Sequence, residues 1–178
     1  MTRAQNVPDA LLPVEEAVDP AAPWIWWAGR DDVPLAGMAA PPPDFSFAML
    51  HDERFDSIVS LVGSPGYDAY PLRAHAYELQ DLYGGRRPAD PGGEYREVCA
   101  AVDTIADLRG RGHGVVVHCR AGIGRTGLVV GAVLVAEGHD PDEVTAWLDR
   151  VQRARGARGW PESPWQAETL RAVADRYR

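Results

Sequence analysis

Apolar residues along this chain recur with two periods, and each period predicts its own elements. WIWWAGR (24–30) crowds aromatic side chains that suit a half-buried pleated surface, and predicts a first strand. DSIVSLVG (56–63) is a short Val- and Ile-rich run closed by glycine, the pattern of a buried strand. HAYELQ (75–80) predicts another, leading into the loop DLYGGRRPADPGG, and GVVVH (114–118) a further one. In GEYREVCAAVDTIADLRGRG (93–112) apolar residues fall at 95, 98, 99, 102, 105, 106 and 108, which is helical spacing, with Gly110 and Gly112 as the stop. LVVGAVLVAEG (128–138) is apolar on every side, as a central buried helix would be. DPDEVTAWLDRVQRARG (140–156) opens on Asp-Pro, with acids in its first turn and arginines in its last, all helix signals. PWQAETLRAVADRYR (164–178) predicts a final helix, while the consecutive prolines of MAAPPPDF (38–45) make a loop. Residues 1–22, rich in Ala and Pro, read as an irregular arm, which leaves 23–178 as one domain. Strands mixed with helices, without internal repeats, give an α/β fold class.

Composition narrows the function classes. With 178 residues, 46 % of them hydrophobic, the chain can bury one good core. A net charge of −8 and a pI near 5.0 argue against a nucleic-acid binder and against an anionic membrane surface as partner. All 18 basic residues are arginine, a bias that hints at a GC-rich genome and removes every mechanism that needs a lysine. The first twenty residues lack a basic segment followed by an apolar one, so no signal peptide is expected. No apolar run approaches the roughly 20 residues that span a bilayer. The two cysteines, Cys99 and Cys119, are too few for a disulfide framework, and a reduced, cytoplasmic setting is the simplest expectation. Cys99 falls on the apolar face of its helix beside Val98 and Val102 and reads as core.

VVVHCRAGIGRTGLVV (115–130) holds a phosphate loop, and three templates overlap on it. GIGRTG (122–127) fits the dinucleotide fingerprint G-x-G-x-x-G, but that motif wants an acid closing a second strand about 20 residues on. Glu137 and Asp140 lie nearer than that, and the segment after them is helical. The nucleotide loop G-x-x-x-x-G-K-[ST] fails because Leu128 stands where the lysine must be.

The third template is His118-Cys119, five residues, then Arg125-Thr126-Gly127. Successive amides of a Gly-rich turn form a nest for phosphate oxygens, and the following helix N-terminus adds positive potential. That field also favours the thiolate of Cys119, the nucleophilic form of a cysteine. Arg125 offers a planar fork to two phosphate oxygens, which lysine could not imitate. Thr126 can donate a hydrogen bond to the sulfur and improve it as a leaving group.

HCRAGIGRTG, set between a Val-rich strand and a buried helix, resembles the signature loop of the cysteine-dependent protein tyrosine phosphatases, including their dual-specificity branch. The chain is short for a classical tyrosine-specific domain and is similar to the compact dual-specificity or bacterial type. The resemblance implies a central mixed or parallel sheet flanked by helices, with the phosphate loop between a strand and a buried helix. It also implies a two-step reaction without metal or cofactor. Cys119 attacks phosphorus while Arg125 and the amides of Arg120, Ala121, Gly122, Ile123 and Gly124 hold the oxygens. A carboxylic acid protonates the leaving group and then serves as base for the hydrolytic water.

Several assignments stay open at the level of sequence. The family carries its general acid on a loop after a strand, and Asp81, 38 residues before Cys119, fits that pattern together with Pro88. Asp90, 29 residues before Cys119, sits where a helix cap is wanted, although it too could be the acid. His118 either orients the cysteine or is a satisfied core histidine. Gln166 is either the family's water-positioning glutamine or an exposed helix residue. Arg86 and Arg87 read as a solvated loop, with substrate contact as the alternative. Arg150, Arg153, Arg155 and Arg158 read as the end of a helix and its exit. The expected partner is a phosphorylated protein, phosphotyrosine foremost. The alternatives are a phosphate-binding pseudophosphatase and an enzyme for a non-protein phosphoester such as an inositol phosphate. Ile123, where lipid-directed members tend to carry a second basic residue, speaks against the last.

Overall fold

A computed structural model describes residues 10–178. In chain order it contains helix α1 (Val14–Ala17), strands β1 (Ile25–Gly29) and β2 (Leu35–Met38), and helix α2 (Phe47–Asp52). Strands β3 (Phe55–Ser60) and β4 (Arg73–Ala76), helix α3 (Pro91–Gly110) and strand β5 (Gly114–His118) follow. Helices α4 (Gly124–Ala136), α5 (Pro141–Ala154) and α6 (Pro164–Tyr177) complete the chain. The sheet order is β1-β2-β5-β3-β4, antiparallel between β1 and β2 and parallel elsewhere, so the expected mixed sheet flanked by helices is present.

β5 lies at the centre of this sheet, and its side chains divide strictly by parity. Val115 and Val117 join the core beneath α3, α4, α5 and α6, while Val116 joins a second core with Phe47, Phe55 and Ile58 on the opposite face. A parallel strand covered on both faces must be apolar at every position, which is why GVVVH shows no alternation. Its last residue delivers the chain straight into the phosphate loop, and α4 starts on the far side of that loop. Leu128 to Val135 of α4 are all buried, as its all-round apolar pattern predicts.

The elements that the pattern misses are short or lie at an edge. β2, all four residues of it buried, pairs with β1 and β5 but spans only LAGM, too brief to show a period. α2 is six residues long, and β4 is a largely exposed edge strand beginning two residues before the predicted one. α4 begins four residues earlier than predicted, because the glycines of GRTG make a poor helix on propensity yet form its first turn. α3 likewise starts ahead of the expected boundary, with Asp90 capping it and Pro91 at its first position. Of the predicted N-terminal arm, residues 1–9 lie outside the described residues. The rest is built into the domain: Ala17 is fully buried, and Trp147 Nε1 donates to the Leu12 carbonyl at 2.7 Å. Among the described residues no helix is long and apolar enough to cross a membrane.

Gly37 of β2 shows how tightly the sheet meets α4. A methyl group there would lie 2.4 Å from the Trp26 ring and 2.7 Å from Thr126 Cγ2. Gly37→Ala is therefore expected to destabilise the fold by about 1–3 kcal/mol, the usual cost of overpacking a core. Urea denaturation checks it; an unchanged midpoint would mean that Trp26 does not pack against β2.

Candidate active site

The loop Cys119–Ile123 is shaped by where its carbonyls go. The Arg120 carbonyl accepts from the Ala40 amide at 3.0 Å, and that of His118 from the Leu61 amide at 2.9 Å. The Gly122 carbonyl accepts from both Trp26 Nε1 and Arg155 Nη1, each at 3.0 Å, and the Gly124 carbonyl from Trp160 Nε1 at 3.2 Å. Among the described residues, none bonds the amides of Arg120 to Ile123. Carbonyls tied behind and amides left facing forward form an anion receptor at the N-terminus of α4. Gly122 has φ +71°, and a side chain on it would meet the Met38 carbonyl at 2.5 Å, so the turn requires glycine.

Cys119 opens this loop and is almost fully buried, and Cys99 is a buried free thiol of α3. His118 is buried behind Cys119, with Nδ1 2.9 Å from the Cys119 carbonyl and Nε2 2.6 Å from Tyr67 Oη. A carbonyl can only accept, so Nδ1 carries the proton and Nε2 accepts from the tyrosine. Burial agrees with this arrangement, since it lowers the pKa of His118 and pushes that of Tyr67 up to about 12. Tyr67 has no sequence signature and escapes a reading of the motif alone. Thr126 Oγ1 is buried without a partner among the described residues, so the expected bond to the cysteine sulfur is not formed here.

Arg125 reaches outward from the first turn of α4 to the loop after β4. Its Nη1 donates to the Leu79 carbonyl and its Nη2 to Asp81 Oδ2, both at 3.3 Å. The Asp81 loop is braced on several sides. Asp81 Oδ1 accepts from the Tyr83 amide at 3.1 Å, and Gln80 bonds the Ala89 amide and, through its own amide, Glu94. The Gly85 amide donates to the Glu162 carbonyl at 2.9 Å, Ser163 Oγ donates to the Arg86 carbonyl, and Arg87 pairs with Glu168 of α6 at 3.0 Å. The side chain of Asp90 instead turns back onto its own helix and accepts from the Gly93 amide at 2.9 Å. Arg87 is thus held by a carboxylate, and Arg86 and Arg120 are exposed.

Two further charged residues belong to the site and were not singled out by spacing. Arg155, read from sequence as part of a helix exit, is drawn inward under the loop by the carbonyls of Pro23 and Gly122 and by Gln152. Burial pushes its pKa down to about 10, and the charge of Cys119 acts against that shift. Glu162 lies against Gly124, and its carboxyl is raised above the usual range by burial and by the charge of Asp81, with Arg125 opposing. Gln166 is buried, not exposed, and its Oε1 accepts from the amides of Glu162 and Ser163 at 2.8 and 3.2 Å. A groove of about 570 Å³ runs beside the loop between Tyr83, Ile123, Trp160 and Glu162, with Arg153 and Arg158 at its rim.

Comparisons with known proteins show what the chain as a whole is similar to. The family described as "Polymorphic toxin system, DSP-PTPase phosphatase" matches residues 37–139. The tyrosine-protein phosphatase cdc-14 of Caenorhabditis elegans is 30 % identical over 129 residues, which are 71 % of this chain but only 17 % of that protein. Among solved structures, TpbA of P. aeruginosa superposes with a TM-score of 0.61 at 20 % identity, covering 91 % of this chain and 94 % of its own. PTPMT1 in complex with PI(5)P superposes with a TM-score of 0.62 at 16 % identity, covering 86 % and 96 %.

The position of Asp90 makes a testable difference. As a cap it is expected to contribute stability alone, so Asp90→Ala should lower the unfolding free energy by about 1 kcal/mol. Thermal melts of the variant check this; an unaltered melting temperature would contradict the capping role.

Proposed function

The chain belongs to the DSP-PTPase phosphatase family, and we propose that it hydrolyses phosphate monoesters, phosphotyrosine of proteins foremost, through a phosphocysteine on Cys119. One observation carries the reading: Asp81 stands 3.3 Å from Arg125, at the mouth of a loop whose free amides surround Cys119. Nucleophile and anion receptor come from one contiguous stretch, and the proton donor joins them from a second, 38 residues before Cys119.

The geometry supports the following course. The phosphoryl group enters with its oxygens on the free amides of the loop and on the fork of Arg125, which leaves its bond to Asp81 for them. Cys119 attacks phosphorus in line, with the half-buried Arg155 near it adding positive charge. Asp81, released at the rim, protonates the departing oxygen. His118 acts through its backbone bond to Cys119 and is a positioning residue. A pseudophosphatase that had lost its proton donor is disfavoured by the placement of Asp81. For substrate class, the net charge of −8 disfavours an anionic lipid surface, and the exposed Arg120 offers a cation to an acidic phosphopeptide.

The test is hydrolysis of aryl and alkyl phosphates, with and without chelator, by wild type, Asp81→Ala and Asp90→Ala. Wild type should turn over in the presence of chelator. Asp81→Ala should lose on the order of 10²–10⁴ in rate on a poor leaving group and much less on an activated aryl group. If Asp90→Ala shows this signature and Asp81→Ala does not, the acid is Asp90.

A further inference from the structure

Glu94 of α3 has no part in the reaction described above, yet it is bonded to the residue directly before Asp81. Residues 77–80 prolong β4, and their amides point alternately to opposite sides. Those of Tyr77 and Leu79 turn inward and donate to the carbonyls of Ser60 and Leu61 at 2.8 and 3.1 Å. Those of Glu78 and Gln80 turn outward, on the side where β4 is the edge of the sheet. Two carboxylates of α3 stand there in place of a further strand. Glu97 Oε1 accepts from the Glu78 amide at 3.3 Å, and Glu94 Oε1 from the Gln80 amide at 2.7 Å. Positions three apart share a helix face, so one face of α3 serves two alternate amides of the segment.

The Glu94 bond is the shorter of the two, and its carboxylate is only 8 % exposed. A buried carboxylate is unfavourable unless it is bonded, which ties its burial to the Gln80 amide. Its place in the first turn of α3, where the helix end favours negative charge, offsets part of that penalty. Burial raises its pKa and the bond from Gln80 opposes the rise, while the charges of Glu97 and Arg125 act in opposite directions. Arg125 also donates to the Leu79 carbonyl and to Asp81, on either side of Gln80. A phosphate in the loop takes that guanidinium fork, so both of those bonds are given up when the acid is needed. The bond from Gln80 to Glu94 does not involve Arg125 and persists.

We propose that Glu94 is a positioning residue for the general acid. Through the Gln80 amide it keeps Asp81 at the leaving-group oxygen once phosphate has taken Arg125. The inference rests on the reading of Asp81 as proton donor. No bond of the reaction is made or broken at Glu94, which acts on the acid alone. Its loss should therefore matter in proportion to the help that the leaving group needs.

The experiment compares kcat/KM for phenyl phosphate, a poor leaving group, and dinitrophenyl phosphate, a good one, with melts to confirm folding. Glu94→Ala should lose on the order of 10²-fold on phenyl phosphate, as a misplacement of about 1 Å can cost, and much less on dinitrophenyl phosphate. Glu94→Met, similar in length but without an acceptor, should show the same split and serves if the alanine variant does not fold. Glu94→Gln, which keeps an oxygen for the Gln80 amide, should recover most of the rate. Without Asp81 there is nothing for Glu94 to position, so Asp81→Ala combined with Glu94→Ala should match Asp81→Ala alone. An equal loss on both esters, no loss on phenyl phosphate, or a double variant slower than Asp81→Ala would overturn the inference. A wild-type chain that hydrolyses neither ester would instead overturn the phosphatase reading, and an Asp81→Ala variant indifferent to the leaving group the assignment of the acid.

Discussion

The double hydrogen bond to the Gly122 carbonyl is the constraint on which the rest of the site depends. Trp26 from β1 and Arg155 from the end of α5 both donate to that one oxygen from inside the fold. A buried carbonyl cannot go unpaired without cost, so these two donors fix which way the loop turns. With Gly122 in a left-handed conformation and its oxygen turned back, the loop amides face forward. The receptor for an anion is thus made by satisfying the opposite ends of the same peptides.

Around this loop the fold brings acids and bases together from distant positions. The loop after β5 supplies Cys119 and the first turn of α4 Arg125, the loop after β4 supplies Asp81, and the segment leading into α6 supplies Glu162, with Gln166 in the first turn of that helix. The last two segments are also joined to each other, through the Gly85 amide and the Ser163 hydroxyl. Asp81 and Glu162 therefore sit on one connected rim, and each feels the charge of Arg125. A phosphate that takes the guanidinium fork alters both carboxyl groups at once.

How far the site can be read in advance depends on whether its chemistry is local. HCRAGIGRTG is contiguous, so the proposed nucleophile, the amide receptor and the arginine fork are legible from ten residues. The strand before it and the buried helix after it are legible too, because burial on all sides leaves unbroken apolar runs. Asp81 and Asp90 cannot be separated by spacing. Only the fold shows that one faces Arg125 and the other caps α3. Tyr67, Arg155 and Glu162 are single residues whose importance comes from a partner more than thirty positions away, and no local pattern marks them. The bond expected from Thr126 to sulfur is not formed: that hydroxyl is buried in the first turn of α4 without a partner among the described residues. β2 and α2 are too short for either period to emerge.

The central claim is that phosphorus passes through a covalent bond to Cys119. The most direct measurement is acid quenching of the enzyme during turnover of an aryl phosphate, followed by digestion and mass spectrometry of the peptide that contains Cys119. The account predicts one phosphoryl group on that cysteine during turnover of wild type, and none in Cys119→Ser. Sustained turnover with the cysteine unmodified, or with the phosphoryl group on a histidine or a carboxylate, would contradict it.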